Sequence, residues 1–252
     1  MSVVGIASAE QVHWDGEAGD GLWSSSKNWS VDRLPKLGDD VVIKDADVTW
    51  DNALENGNLL ADSLRLDGKA HLKVASVIRF NHAQVHIGPE AKVTNQVAHV
   101  YLDWLGARVT IESGATLEGS LVWEHKSQPK FAFKLDSKGF KTLRPQTICV
   151  RSQQANQETR FSVDIQDYEG PEQKLVLVQF DRCNMEQYEP WLSPDNAEVL
   201  NPGPYHGSRI EWDAETHSLV LHILKNHSFK KPGRESDFFR IGNLTIKQRF
   251  AK

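Results

Sequence analysis

The 252-residue sequence has only two cysteines and two methionines, and it has no excess of positive charge. Each shortage excludes something. A formal net charge of -5 argues against nucleic acid as the main partner, because duplex binding needs a basic face. No apolar run approaches the ~20 residues of a membrane-spanning helix, so no membrane span is expected. Two cysteines match no zinc-site spacing on their own. The chain lacks His-Glu-x-x-His, Gly-x-Ser-x-Gly, phosphate loops and dinucleotide fingerprints, which argues against nucleotide chemistry and the motif-bearing hydrolases. From Val41 to Val122 no stretch carries helical periodicity. That span has only two dipeptides of the tight-hairpin type, Asn56-Gly57 and Asp67-Gly68.

What is present is a series of short strand-like runs. Val41-Val42-Ile43, Ser63 to Leu66, His71 to Val74, Val77 to Phe80, Gln84 to Ile87, Val97 to Leu102 and Arg108 to Ile111 mostly alternate apolar with polar residues. This is the period of a half-buried strand. Asp67-Gly68, Gly88-Pro89, Gly106 and Ser113-Gly114 separate the runs. Two of these segments are similar to each other. Val85-His86-Ile87 through Val93 matches Val109-Thr110-Ile111 through Leu117 at an offset of 24 residues, and Leu64 to Ala70 resembles both. A repeat of ~20–25 residues suits one coil of a β-solenoid, whereas a sandwich would need hairpin turns between most neighbours. The expectation is an all-β, single-domain parallel β-helix, with a β-sandwich as the alternative. In that register Leu64/Leu66, Val85/Ile87 and Val109/Ile111 face the core, and Arg65, His86 and Thr110 form an outward column.

The N-terminal stretch from Val12 to Ile43 holds Trp14, Trp23 and Trp29 among Gly, Ser, Asp and Asn. Pro35, Gly38-Asp39-Asp40 and Val41-Val42-Ile43 follow. The order W-D-G, W, N-W, L-P, G-D-D-V-V-I resembles the opening of secreted bacterial right-handed β-helix proteins, of the autotransporter-passenger and exosortase-sorted surface-protein type. The resemblance covers about an eighth of the chain. It implies a right-handed β-helix with a tryptophan-rich cap and a secreted or cell-surface location. The 252 residues show neither a C-terminal membrane β-barrel nor a Pro-Glu-Pro sorting tail, the display devices of those classes.

The organisation expected is a terminus at residues 1–10, a solenoid at 11–224 and a basic tail at 225–252. Ala7-Ser8-Ala9 suits a signal-peptide remnant, but no basic segment precedes it, so a plain disordered terminus stands beside that reading. The tail, with Lys230-Lys231-Pro232-Gly233-Arg234, reads either as flexible or as a connector to a protein partner. Cys149 and Cys183 are a candidate disulfide in an oxidising compartment, or two free thiols. The sequons at Asn28, Asn226 and Asn243 matter only in a eukaryotic secretory context.

Three functions compete. The leading one is an extracellular protein that binds carbohydrate or another surface polymer, or has a structural role there. Aromatic faces pack on sugar rings, which singles out Trp104, Trp123, Tyr101, Trp191 and Trp212. Arg65, Tyr205 and His206 would add polar contacts to a glycan. The second is a β-helix polysaccharide lyase. A lyase needs a base for the C5 proton of a uronic acid, and a cation or divalent metal such as calcium on the carboxylate. Lys73, Arg79, His86 and Tyr101, with Arg65, would supply that set if their strands line one face. The third is a subunit of a larger extracellular assembly. His71, His82, His86 and His99 have irregular spacing, so no metal site is assigned to them and no resident cofactor is expected.

Overall fold

The computed structural model describes residues 9–51, 57–96, 101–123, 129–145, 147–150, 160–180, 182–183 and 196–225. Among these there is no α-helix and one short 3-10 turn, Ser26–Asn28. In chain order the strands are β1 (Glu10–His13), β2 (Asp39–Lys44), β3 (Asp47–Trp50), β4 (Ser63–Asp67), β5 (His71–Val74), β6 (Ile78–Arg79) and β7 (Gln84–Ile87). Next come β8 (Lys92–Asn95), β9 (Tyr101–Asp103), β10 (Arg108–Glu112), β11 (Thr116–Leu117), β12 (Ser120–Trp123) and β13 (Lys130–Lys134). The rest are β14 (Thr147–Val150), β15 (Arg160–Asp164), β16 (Gln173–Gln179), β17 (Arg182–Cys183), β18 (Ala197–Leu200), β19 (Arg209–Asp213) and β20 (Ser218–Ile223).

Three sheets are wholly parallel. The first has the order β1-β2-β4-β7-β10-β13-β15-β18, the second β11-β8-β5-β3, and the third β17-β14-β12-β9-β6. Each return of the chain adds one strand to each sheet: β4, β5 and β6, then β7, β8 and β9, then β10, β11 and β12. Antiparallel pairing, which a sandwich would need throughout, forms only one sheet among the described residues, β16-β20-β19.

Alternation explains why the sheets stack this way. In the first sheet Val12, Val41, Leu64, Val85, Val109, Phe131 and Phe161 stand side by side in register. Ile43, Leu66, Ile87, Ile111, Phe133 and Val163 make a second buried file two residues on. From Val41 to Phe131 the rungs are 23, 21, 24 and 22 residues apart along the chain. The 24-residue repeat read from the sequence is thus the strand register itself, with Val85 beside Val109 and Lys92 beside Thr116. A slip of one residue would turn both files outward, so burial fixes the register.

Four of the eight tryptophans gather at the first end of this stack. Trp29 lies edge-on to Trp14 (5.0 Å) and Trp23 (4.6 Å), and Trp23 meets Trp50 at 4.9 Å. Trp29 Nε1 donates to Trp23 O, and Leu22 bridges to Thr49 in the parallel sense, so this segment extends the second sheet. Buried Asn28 knits the segment together. Its amide donates to Asp20 and to Leu22 O, and its carbonyl accepts from the Ala18 N–H. Nearby, Arg33 forks onto the buried Asp39 carboxylate at 2.6 and 3.1 Å and also reaches Glu10. Burial alone would raise the Asp39 pKa, but Arg33 and the Lys36 N–H outweigh it and hold the carboxyl below its ordinary value.

Candidate functional site: the outer face of the first parallel sheet

Alternate residues of the first sheet point away from the buried files and form three outward columns. One column contains Arg65, His86, Thr110, Ala132, Ser162 and Glu198 in register. On one side of it run Ser63, Gln84, Arg108, Lys130 and Arg160. On the other lie Asp67, Glu112, Lys134 and Asp164.

The two sides differ electrostatically. Along the second, charges compensate. Arg65 Nε meets Asp67 at 2.6 Å, and His86 Nε2 lies 3.7 Å from Glu112 and 4.0 Å from Asp67. Lys134 reaches Glu112 at 3.9 Å and Asp167 at 3.8 Å. Burial lowers the His86 pKa against the opposing pull of Glu112, so its ring is neutral near pH 7.

Along the first side cations follow one another in register. Arg108, Lys130 and Arg160 are directly opposite one another on three consecutive strands. Strands are ~4.8 Å apart, so three cations fall within roughly 10 Å. Arg160 donates to Asn196 Oδ1 at 2.6 Å, whereas Arg108 and Lys130 have no carboxylate partner among the described residues. Thr110, Ala132 and Ser162 floor a trough of about 140 Å³ beside this ladder, and Glu198 closes it. Small side chains here leave room above the sheet, and the long cationic ones wall it.

The sequence-level candidates divide among the sheets. Arg65 and His86 are register neighbours on the first sheet. Lys73 is on the second, its ammonium 2.7 Å from Asp47. Arg79 and Tyr101 belong to strands of the third, and Tyr101 lies where no side chain is described. These residues do not line one face. Trp104 is fully buried, stacked on Phe80 at 4.3 Å and edge-on to Phe131, so it has no ring face for a sugar. Tyr205 is also buried, packing on Tyr168 and donating to Gly170 O, while His206 beside it is exposed.

Trp123 is on β12, and its side chain lies outside the description, as do Trp191, His99 and the tail. Cys149 and Cys183 are on adjacent parallel strands, but the register sets Cys183 beside Ile148. Residues 1–8 and 226–252 are outside the described residues as well. Among the described residues no three His, Cys, Asp or Glu side chains are grouped to hold a metal ion, and no helix is long and apolar enough to cross a membrane.

Sequence reasoning missed Arg108, Lys130 and Arg160. The first two are 22 residues apart, a spacing close to the repeat. The third follows after 30, a gap that breaks the period. No family model matches this chain, nor does any curated protein or solved structure.

Proposed function

We propose that this chain is an extracellular right-handed parallel β-helix that binds an acidic polysaccharide along the outer face of its first sheet, without catalysis at that face. The observation that carries this reading is the Arg108–Lys130–Arg160 ladder. Like charges directly opposite on neighbouring strands oppose folding by ~0.2–1 kcal/mol per pair. A fold that keeps Arg108 directly opposite Lys130, with Arg160 on the next strand, gains when a polyanion lies across them. Carboxylates or sulfates spaced along a polymer suit a linear ladder better than a single small anion does. Thr110 and Ser162 on the trough floor offer hydroxyls to sugar hydroxyls. The buried Trp104 weighs against an aromatic sugar platform at that position. The β-helix assignment rests on the strand-by-strand return of the chain to three parallel sheets, and the secreted location on the N-terminal tryptophan motif.

The test is affinity electrophoresis or calorimetry of the full chain with heparin and polygalacturonate, using dextran as the neutral control. Binding should weaken as salt rises, since exposed charges are screened within ~10 Å at 0.1 M. The Arg108→Ala/Lys130→Ala variant should lose at least about tenfold in affinity, a change of ~1.4 kcal/mol. A Lys36→Ala/Lys138→Ala variant, with the same change in net charge elsewhere, should bind as the parent does. Equal binding of dextran and the acidic polymers would overturn the reading, as would an unaffected ladder variant.

A further inference from the structure

The second sheet holds an arrangement that the binding face does not use. Asp47 on β3, His71 on β5 and Thr94 on β8 project from the same outer side of three consecutive strands. His71 Nδ1 is 3.5 Å from Asp47 Oδ1, and His71 Nε2 is 2.8 Å from Thr94 Oγ1. The imidazole is therefore between a carboxylate on one nitrogen and a hydroxyl on the other. A nucleophile within hydrogen-bond reach of a base, itself oriented by a third group, is the geometry of an activated hydroxyl.

We propose that Asp47, His71 and Thr94 form an ester-hydrolysing site, with Thr94 as nucleophile, His71 as general base and Asp47 as the residue that positions the ring. This goes beyond the polysaccharide-binding face and does not depend on it. The substrate class is a short-chain carboxylic ester, such as an O-acetyl group on a polar carrier. Asp47 and His71 line an open trough of about 380 Å³ whose other walls include Lys69, Glu90, Lys92 and Lys141, and Thr94 stands beside it, across the His71 ring, rather than in its wall. Its polar lining, three lysines against Asp47 and Glu90, suits a small acyl group on a hydroxylated alcohol rather than a fatty chain.

The surroundings support each role. Lys73 holds Asp47 at 2.7 Å and, through that hydrogen bond, lowers its pKa, so the carboxylate stays ionised to low pH. Burial lowers the His71 pKa, with Lys73 and Lys92 adding to the effect and Asp47 opposing it. The ring is then neutral near pH 7, with Nδ1–H toward Asp47 and Nε2 free to accept the Thr94 hydroxyl proton. Lys92 is the register neighbour of His71 and lies two residues before Thr94 on the same face, where an ammonium stabilises a developing oxyanion.

The chemistry closes on itself. Thr94 Oγ bonds to the ester carbonyl carbon while its proton passes to His71 Nε2 and the carbonyl electrons move to oxygen. The bond to the alcohol oxygen then breaks, and that oxygen takes the proton from Nε2. Water adds to the acyl-threonine, giving a proton to His71. The carboxylic acid leaves as Thr94 Oγ recovers the proton.

The test uses the full chain and 4-nitrophenyl acetate. Nitrophenolate release should exceed that given by imidazole at the same total histidine concentration. Quenched protein should carry an acetyl group on Thr94 by peptide mass spectrometry, a reading that needs no variant. Thr94→Val and His71→Gln should each lose roughly 10²-fold in rate or more. Thr94→Ser, which keeps the hydroxyl and loses only the methyl, should retain turnover. A Thr94→Val protein that hydrolyses the ester at the parent rate would overturn the proposal. So would parent turnover no faster than imidazole, or turnover with the acetyl group found only elsewhere.

Discussion

Ile87 and His86 are adjacent on β7 and face opposite ways, so they give a paired test of the register. Ile87 is fully buried, with Leu66 on one side and Ile111 on the other. Replacing it with alanine removes three carbons. At about 0.8 kcal/mol each, the lost transfer energy is near 2.4 kcal/mol. The cavity left between two ordered strands cannot collapse fully, which brings the expected loss to roughly 3–4 kcal/mol. His86 is on the outer face at 3.7 and 4.0 Å from two carboxylates, distances beyond a hydrogen bond. With a neutral ring those contacts contribute little, and His86→Ala should cost less than about 1 kcal/mol. Urea denaturation of both variants beside the parent gives the two numbers, provided the slopes agree. A register displaced by one residue would place His86 in the core and Ile87 in water. Equal losses, or a larger loss at His86, would therefore refute the strand register and the buried files built on it.

Two further outcomes follow from the same coordinates. Asp39 is harder to protonate in the folded chain than in the unfolded one, so its stabilising contribution is full above the ordinary aspartate value of 3.8. That contribution is lost as pH falls through the lower folded value. Asp39→Asn should therefore be less stable than the parent at pH 7 but show a shallower loss below about pH 4, read from denaturation midpoints across pH. Gly114 has φ +97°, and an added Cβ would lie 2.5 Å from Pro89 O on the neighbouring return of the chain. Gly114→Ala should lower the thermal midpoint by at least as much as a core truncation of about 2 kcal/mol, whereas the same change at Gly19, where φ is +70° but no atom lies within 4 Å, should carry only the backbone strain and cost less.

The alternation and the repeat made the middle of the first sheet, β4, β7 and β10, legible in the sequence, because the inward positions of those rungs are apolar. His86 beside Thr110 follows from the 24-residue offset, and Arg65 beside His86 from the 21-residue spacing before it. What was not legible was which sheet each outward residue joins. Lys73, Arg79 and His86 are close in sequence yet fall on three sheets, since one return of the chain turns a corner after every short strand. Nor does composition separate a tryptophan that covers a core from one that offers a face. Trp104 resembles a surface aromatic in its polar surroundings, Asp103 and Gly106, and packs on Phe80. The Asp47–His71–Thr94 juxtaposition needed the register across two strand pairs, from β3 to β5 and from β5 to β8.

The unequal length of the returns has a consequence for how the ladder could be rewritten. Between Val41 and Phe131 the rungs are 21 to 24 residues apart, and each pairs in register with the rung on either side. Such a stack behaves as a ruler with one division per strand. Duplicating the rung that carries Arg108 would lengthen the charged face by a single strand spacing, ~4.8 Å, and leave the others where they stand. If the proposed function holds, the length of anionic polymer gripped, and with it the avidity, would then be set by counting rungs rather than by redesigning a site.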